Sequence, residues 1–305
     1  MRPAGTIHVV FNARSGRRDR SQALEEIERA LRAAGRRYEM LQAGKDVVSV
    51  AERAARAAAQ GGGIVVAAGG DGTLNSVAQA AFDVDAAFGA VPIGTFNYFA
   101  RENGIPLEPG NAARLVAEGE VRPVQVGLVN GRVFLVNASL GLYPMLLEER
   151  EAFKHRYGRE RWVALMAALW TLLTRTHPRI LVRITTGGEA REVRASTLFV
   201  GNNPLQLARL GIEEAQAVEE GQLAAIRVRP ASSWGMIRIL FHGAVGRLGA
   251  ADGVEAFAFR ELEVAPARPV RRAVFLKVAT DGESVRLRLP IVFCVAPRRL
   301  KLVRA

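Results

Sequence analysis

Between Ile64 and Ala81 the chain reads IVVAAGGDGTLNSVAQAA. Residues 64–68 are small or branched apolar residues, the pattern of a strand buried on both faces. A helical pattern follows over 74–82, and only Gly69, Gly70, Asp71, Gly72 and Thr73 separate the two. A junction this short makes strand and helix immediate neighbours. The same order recurs along the first third: strands at 6–12, 37–42, 64–68 and 88–94, and helices at 21–35, 46–63, 74–82 and 96–104. Strands alternating with helices predict a parallel sheet covered on both faces.

After about Pro123 the pattern changes. Asn130-Gly131 between apolar runs is a hairpin signal. A helical region spans roughly 145–175, and short alternating strands with turn residues fill most of the remainder. One amphipathic segment, 234–248, carries Trp234, Ile237, Phe241, Val245 and Leu248 broadly on one face. There is no internal repeat, low-complexity tract or long linker. The expected architecture is an α/β N-terminal domain followed by an antiparallel β domain.

The 305 residues suffice for one large domain or two ordinary ones, and 49% hydrophobic with 24% charged residues is globular composition. The longest apolar run, WVALMAALWTLL at 162–173, is shorter than the roughly 18 residues of a membrane span and is flanked by Arg161 and Arg175. The N-terminus has no apolar signal core. A single cysteine, Cys294, excludes an internal disulfide framework and fits a reducing cytoplasm; it reads as an ordinary strand residue in PIVFCVA. The net charge of +12 comes mostly from arginine, with only four lysines, and the many alanines beside it point to compositional bias. Eleven basic and four acidic residues fall within 260–305. Nucleic-acid binding rests on charge alone and is not expected. The histidines, at 8, 155, 177 and 242, lack ligand spacing for zinc.

The glycine turn at 69–73 opens a helix whose unpaired N–H groups make an anion site. It lacks the Lys-Ser/Thr pair of the common phosphate loop and the spacing of a dinucleotide fingerprint. Its distinguishing residue is Asp71. A carboxylate beside phosphates repels them unless a cation or a transferable proton intervenes, which points to magnesium-assisted phosphoryl transfer. The plainer reading is that Asp71 or Thr73 caps the helix. Asn12, Ser15 and Gly16 follow the first strand, and Gly94, Thr95 and Asn97 follow the fourth, at the sheet edge where open α/β folds bind ligands. Asp281 and Glu283 sit at a tight turn much later in the chain.

Taken in order, NARSG, GGDGT, GTFNYFAR, VGNNP (200–204) and DGE resemble the diacylglycerol-kinase-type lipid kinase family, which includes bacterial lipid kinases and is related to sphingosine and ceramide kinases. The resemblance implies an α/β domain related to phosphofructokinase and NAD kinase over 1–122, a β-sandwich lipid-substrate domain over 123–290, and a segment, 291–305, that returns to the first domain. It implies ATP and Mg2+. The nucleotide would lie near Asn12, Ser15, Gly16, Gly69, Gly70, Asp71, Gly72, Thr73, Asn75, Gly94, Thr95 and Asn97. The catalytic residues would be Asp71, Asp281 and Glu283, with the general base in the DGE motif and metal at Asp71 and Glu220.

The sequence departs from the family at Tyr98, where an aspartate is usual, and at Ser76, where a glutamate is common. Leu41-Gln42-Ala43 replaces a stretch that often holds threonine. Glu220-Gly221-Gln222-Leu223 stands for the accessory loop's Asp-Gly-x-Leu, and a glycine-rich segment expected after VGNNP is reduced to Gly211. The expected partners are ATP and a lipid hydroxyl met at a membrane surface through transient peripheral contact, with a homodimer left open. The expected location is the cytoplasm, reaching the inner face of the membrane. An NAD kinase relative, and a non-catalytic nucleotide or anionic-lipid binder on the same fold, are the competing readings.

Overall fold

The computed structural model describes residues 3–11, 20–44, 46–141, 180–186, 188–266 and 273–305. Asn12, Ser15 and Gly16, the helical region expected at 145–175 and the basic stretch 153–162 lie outside the described residues.

β1 (Ile7–Phe11) is buried at all five positions, as its unbroken apolar character requires of a central strand. α1 (Arg20–Ala33) leads to β2 (Tyr38–Gln42), and α2 (Val47–Gln60) leads to β3 (Ile64–Gly69). α2 buries Ala51, Ala54, Ala55 and Ala58, an i, i+3, i+4, i+7 stripe of small side chains that lets the helix lie close to its neighbours. Asp46 caps it, accepting the Ser49 N–H at 3.1 Å. α3 (Asp71–Asp83) precedes β4 (Ala87–Pro92). β1 pairs in parallel with β2 and β3, and β3 pairs in parallel with β4.

The helix expected over 96–104 is only α4 (Tyr98–Glu102). Two residues in the left-handed region bracket it, Asn97 at φ +51° and Gly104 at φ +67°. α5 (Pro109–Glu118) is an additional helix, opened by Pro109 in its first turn and buried through Ala112, Ala113, Val116 and Ala117. β5 (Glu120–Val124) follows.

The second unit is Gly127–Val295. β6 (Gly127–Val129) and β7 (Arg132–Phe134) form the expected hairpin, with Asn130 at φ +46° and Gly131 at φ +80°. β8 (Asn137–Gly141), β9 (Ile180–Thr186), β10 (Glu189–Ala195) and β11 (Thr197–Gly201) come next. α6 (Pro204–Arg209) and α7 (Ala215–Glu219) precede β12 (Leu223–Val228), and α8 (Ser233–Ala244) precedes β13 (Val254–Phe259) and β14 (Glu261–Pro266). β15 (Phe275–Thr280), β16 (Glu283–Arg288) and β17 (Ile291–Val295) complete it. The strands form two antiparallel sheets of six, ordered β10-β9-β14-β17-β6-β7 and β13-β12-β11-β8-β15-β16. Phe134, Ile184 and Phe293 from the first share one buried cluster with Leu140, Leu198 and Leu223 from the second.

β18 (Leu300–Arg304) belongs to the first unit, Met1–Val126 with Ala296–Ala305. It lies between β4 and β5, parallel to β4 and antiparallel to β5, so the sheet order is β2-β1-β3-β4-β18-β5. The sheet is therefore mixed, not parallel throughout as the alternation predicts. Leu300, Leu302 and Val303 are buried. Just before the strand, the Arg298 guanidinium lies 4.3 Å from the centre of the Phe82 ring and donates to the Phe82 carbonyl near the end of α3. The units divide at 126/127 and 295/296 instead of the expected 122/123 and 290/291. β5 stays in the first sheet through β18, and β17 stays in the second unit through its pairing with β14 and β6.

Candidate functional site

In the first unit the site is built from two neighbouring turns, β3 to α3 and β4 to α4. The Ile93 N–H donates to the Gly69 carbonyl at 2.8 Å and ties one turn to the other. α3 begins at Asp71, three residues earlier than the sequence pattern predicts, so Asp71, Gly72 and Thr73 form its first turn. Its cap is Gly70, which brings no side-chain hydrogen bond to the helix end. The N-cap position is therefore held by a glycine and not by Asp71 or Thr73.

The glycines are needed for room. Gly70 sits at φ −84°, ψ −179°, ordinary extended backbone. A Cβ on Gly69 would fall 2.7 Å from the Thr73 Cβ. One on Gly94 would fall 2.9 Å from Asn97 Oδ1 and 3.1 Å from Gly70 Cα. The two turns are thus packed backbone to backbone. The left-handed residue of the pair is Asn97, buried at 6% exposure, whose Nδ2 donates to the Gly94 carbonyl at 3.0 Å. Asparagine tolerates that conformation better than other side chains. Ser76 Oγ donates to the Gly72 carbonyl at 3.0 Å, closing the first turn of α3 from within.

Burial pushes the Asp71 carboxyl above its ordinary range, with a hydrogen bond from the Asn97 backbone N–H acting in the opposite direction. The position near the positive end of α3 also favours the charge, yet desolvation prevails. Asp71 Oδ1, Asn75 Oδ1 and Asn97 Oδ1 are all buried without a hydrogen-bond partner. Asn75 lies one turn along α3 from Asp71, on the same face. Buried acceptors are nearly always satisfied, so three orphaned oxygens at one pair of turns mark a place for a donor or a cation. One carboxylate and two amide oxygens are hard ligands that fit Mg2+. The N-terminal end of α3 fits phosphate oxygens. Thr95 and Phe96 are exposed at the rim, and Phe96 stacks on Tyr98 with ring centres 6.1 Å apart and planes 6° apart.

In the second unit the DGE motif forms the β15–β16 hairpin turn, with Asp281 at φ +48° and Gly282 at φ +93°. Asp281 is buried. Its carboxylate accepts the N–H groups of Leu135 at 2.7 Å and of Val136 and Asn137 at 2.9 Å. Both oxygens are thus engaged in holding the backbone at 135–137. The same backbone is braced by VGNNP: Asn202 Nδ2 donates to the Leu135 carbonyl at 3.0 Å, and the Asn202 N–H to the Val136 carbonyl at 2.8 Å. Asn203 caps α6 through the Gln206 N–H, and Asn137 Nδ2 donates to Gln206 Oε1 at 3.1 Å. Asn137 and Gln206 are absent from the sequence-based residue set; only their pairing across the fold reveals them. Glu283 projects from the first position of β16. Its side chain reaches solvent, but the surrounding chain desolvates the carboxyl enough to raise its pKa.

Glu220 ends α7 on the surface, within 3.4 Å of Gln216 Nε2. Among the described residues no group of three or more His, Cys, Asp or Glu side chains is placed to hold a metal, so any metal at Asp71 depends on the amide oxygens beside it.

Residues 6–129 match the family model described as the diacylglycerol kinase catalytic domain. Over these residues the chain resembles the diacylglycerol kinase-type lipid kinases. The match covers both glycine turns and the strands from β1 to β6, and leaves out β18. A Bacillus subtilis (strain 168) protein named "Diacylglycerol kinase" is 37% identical over 131 residues, 42% of this chain and 43% of that one. A Pseudomonas aeruginosa (strain UCBPP-PA14) protein named "Probable lipid kinase YegS-like" is 46% identical over 87 residues, 28% of each. The chain thus spans less than half the length of these curated relatives. A crystal structure of a diacylglycerol kinase from Bacillus anthracis (strain Sterne) aligns with 99% of this chain and 97% of its own at TM-score 0.69 and 19% identity. A second structure from that organism aligns over the same shares at TM-score 0.74 and 21% identity. This likeness is one of fold, and it extends through the β-rich unit that the domain match leaves out.

Proposed function

We propose that the protein transfers the γ-phosphoryl group of ATP to the hydroxyl of a lipid, diacylglycerol-like in class. The observation that carries this reading is the trio of orphaned oxygens, on Asp71, Asn75 and Asn97, beside the N-terminal end of α3 within the stretch that matches the diacylglycerol kinase catalytic domain. The helix end and the Gly69–Thr73 turn would hold phosphate oxygens, and Asp71, Asn75 and Asn97 would hold the metal. Mg2+, when bound, neutralises the phosphate charge and so offsets the repulsion between Asp71 and the nucleotide.

Glu283 serves as the base. The lipid O–H loses its proton to the Glu283 carboxylate, the oxygen forms the new bond to the γ-phosphorus, and the bond from that phosphorus to the bridging oxygen breaks to release ADP. A carboxyl raised by desolvation is a better proton acceptor than an ordinary surface glutamate. Asp281 keeps the turn in place and takes no proton, because its oxygens already accept three backbone N–H groups.

The surface that meets the bilayer is α8. Met236 and Ile239 are buried in a small cluster, with Ile237 and Leu248 packed against it. That corrects the single apolar face expected from the sequence. Trp234, Phe241 and Val245 point outward, at 78%, 65% and 53% exposure. Spaced at i, i+7 and i+11, they form one stripe, and an exposed Trp–Phe stripe on a helix with Arg238 and His242 has the composition of an interfacial anchor.

Incubation with labelled ATP, Mg2+ and a total lipid extract tests the function. The expected product is a labelled phospholipid, absent with Asp71→Asn. ATP binding with no labelled lipid product would favour the non-catalytic reading, and labelled NADP from NAD would favour the NAD kinase reading.

A further inference from the structure

An arginine cluster in the β-rich unit lies apart from every residue assigned above. β10 and β13 are the edge strands of their sheets. Arg191 on β10 donates to Glu255 Oε1 on β13 at 2.7 Å, so one ion pair fastens the two edges. Beside it opens a cavity of about 500 Å3 lined by Arg194, Arg227, Arg229 and Pro230.

The charges there do not balance. Glu255 is shared by Arg191, by Arg227 and, at 4.0 Å, by Arg229. Burial raises its carboxyl, but Arg191 and Arg227 outweigh that and pull it below the ordinary range. No carboxylate among the described residues forms an ion pair with Arg194. Four guanidinium groups therefore answer to one carboxylate.

Arg227 is the decisive member. Its side chain is only 9% exposed, and its Nε–H is buried without a hydrogen-bond partner. A buried guanidinium with an unfilled donor is costly unless something supplies an acceptor. The planar fork of guanidinium donors matches the oxygens of phosphate. Arg194 and Arg229 are exposed on the same cavity and leave its mouth open.

We propose that this cleft is a binding site for a phosphomonoester dianion, with Arg227 as its buried floor and Arg194 and Arg229 as its walls. The ligand chemistry is shared by a small phosphate ester and by a phosphomonoester lipid headgroup. The site stands independently of the kinase reading, since none of its residues belongs to the glycine turns or to the DGE hairpin.

The test titrates inorganic phosphate and glycerol 3-phosphate into the full chain by calorimetry, and measures flotation with phosphatidylcholine vesicles that do or do not contain phosphatidic acid. The variant is Arg194→Ala with Arg229→Ala, both exposed, and an unchanged melting temperature reports its integrity. Loss of at least about one hydrogen bond to a charged group weakens binding tenfold or more. Saturable binding of the soluble phosphates, weakened to that extent in the variant, establishes a small-ligand site. Binding confined to vesicles with phosphatidic acid, and weakened likewise, establishes a headgroup site. No binding of any of these probes, or binding equally strong in the variant, overturns the proposal.

Discussion

Asp281 Oδ2 accepts the backbone N–H of Leu135 at 2.7 Å, across 146 residues of chain. With Val136 and Asn137 donating to the other oxygen, this one carboxylate organises the start of β8 and the β15–β16 turn together. The two acidic residues of DGE therefore stand in different settings, one buried and bonded and the other at the surface, and substitution separates them.

Asp281→Ala strands three N–H groups in a buried setting and is expected to destabilise the β-rich unit by on the order of 3 kcal/mol, read by urea denaturation. Glu283→Gln is expected to leave the denaturation midpoint unchanged while lipid phosphorylation falls to background. Equal stability of the two variants would remove the anchoring role from Asp281.

Activity should also report Glu283 through pH. Its carboxyl is raised above 4.5 by desolvation, so the base form is lost as pH falls through that raised value. The acid limb of kcat/KM is expected to have its midpoint above 4.5 in the wild type. A limb centred lower would assign the base elsewhere.

Asp71→Asn should trade stability against activity. Burial raises the folded pKa above the unfolded 3.8, so the folded state binds the proton more tightly. Stability from this group is then fully present below 3.8 and is lost as pH rises through the folded value. Near neutral pH the charged carboxylate is a net burden, and its removal is expected to stabilise the free protein by about 1 kcal/mol. The gain should vanish in acid. A calorimetric melting series against pH checks both halves, beside loss of phosphorylation.

Gly94→Ala places a methyl group against Asn97 Oδ1 and the backbone of Gly70. The turns must part, at an expected cost of about 1–2 kcal/mol. ATP affinity should weaken with it, since the orphaned oxygens lose their common setting. Unaltered ATP binding by fluorescence titration would detach the second turn from the nucleotide site.

Trp234→Ser with Phe241→Ser removes most of the outward stripe of α8 without touching Met236 or Ile239. Melting should be unaffected, and association with lipid vesicles is expected to weaken at least about tenfold, since each buried methylene contributes about 0.8 kcal/mol. Flotation assays on the two proteins decide it.

The strands and helices of the first hundred residues are readable from the sequence because each is a local pattern. α5 carries equally local signals, Pro109 at its start and an alanine–valine stripe, and the strand–helix alternation extends to it. The placement of β18 is different. Nothing in LKLVR states that its partners are Phe88 and residues 120–124, because that choice is made by a gap in a sheet formed elsewhere. The same limit governs the site. GGDGT announces phosphate chemistry, but the orphaned Asn75 and Asn97 oxygens emerge only when two turns are packed together. Likewise, the three backbone N–H groups that hold the DGE aspartate lie 144 to 146 residues away in the chain and cannot be read from the motif.

The position of β18 has a consequence for synthesis. When the first 126 residues leave the ribosome, β4 and β5 have no strand between them, and the slot stays open while the next 169 residues are made. The first sheet is thus completed only by a strand translated long after the rest of it. A chain cut short after Val295 would retain every glycine-turn residue and still present an unfilled sheet to chaperones and proteases. Closure of the sheet that carries both glycine turns is in this way coupled to the synthesis of residues 300–304.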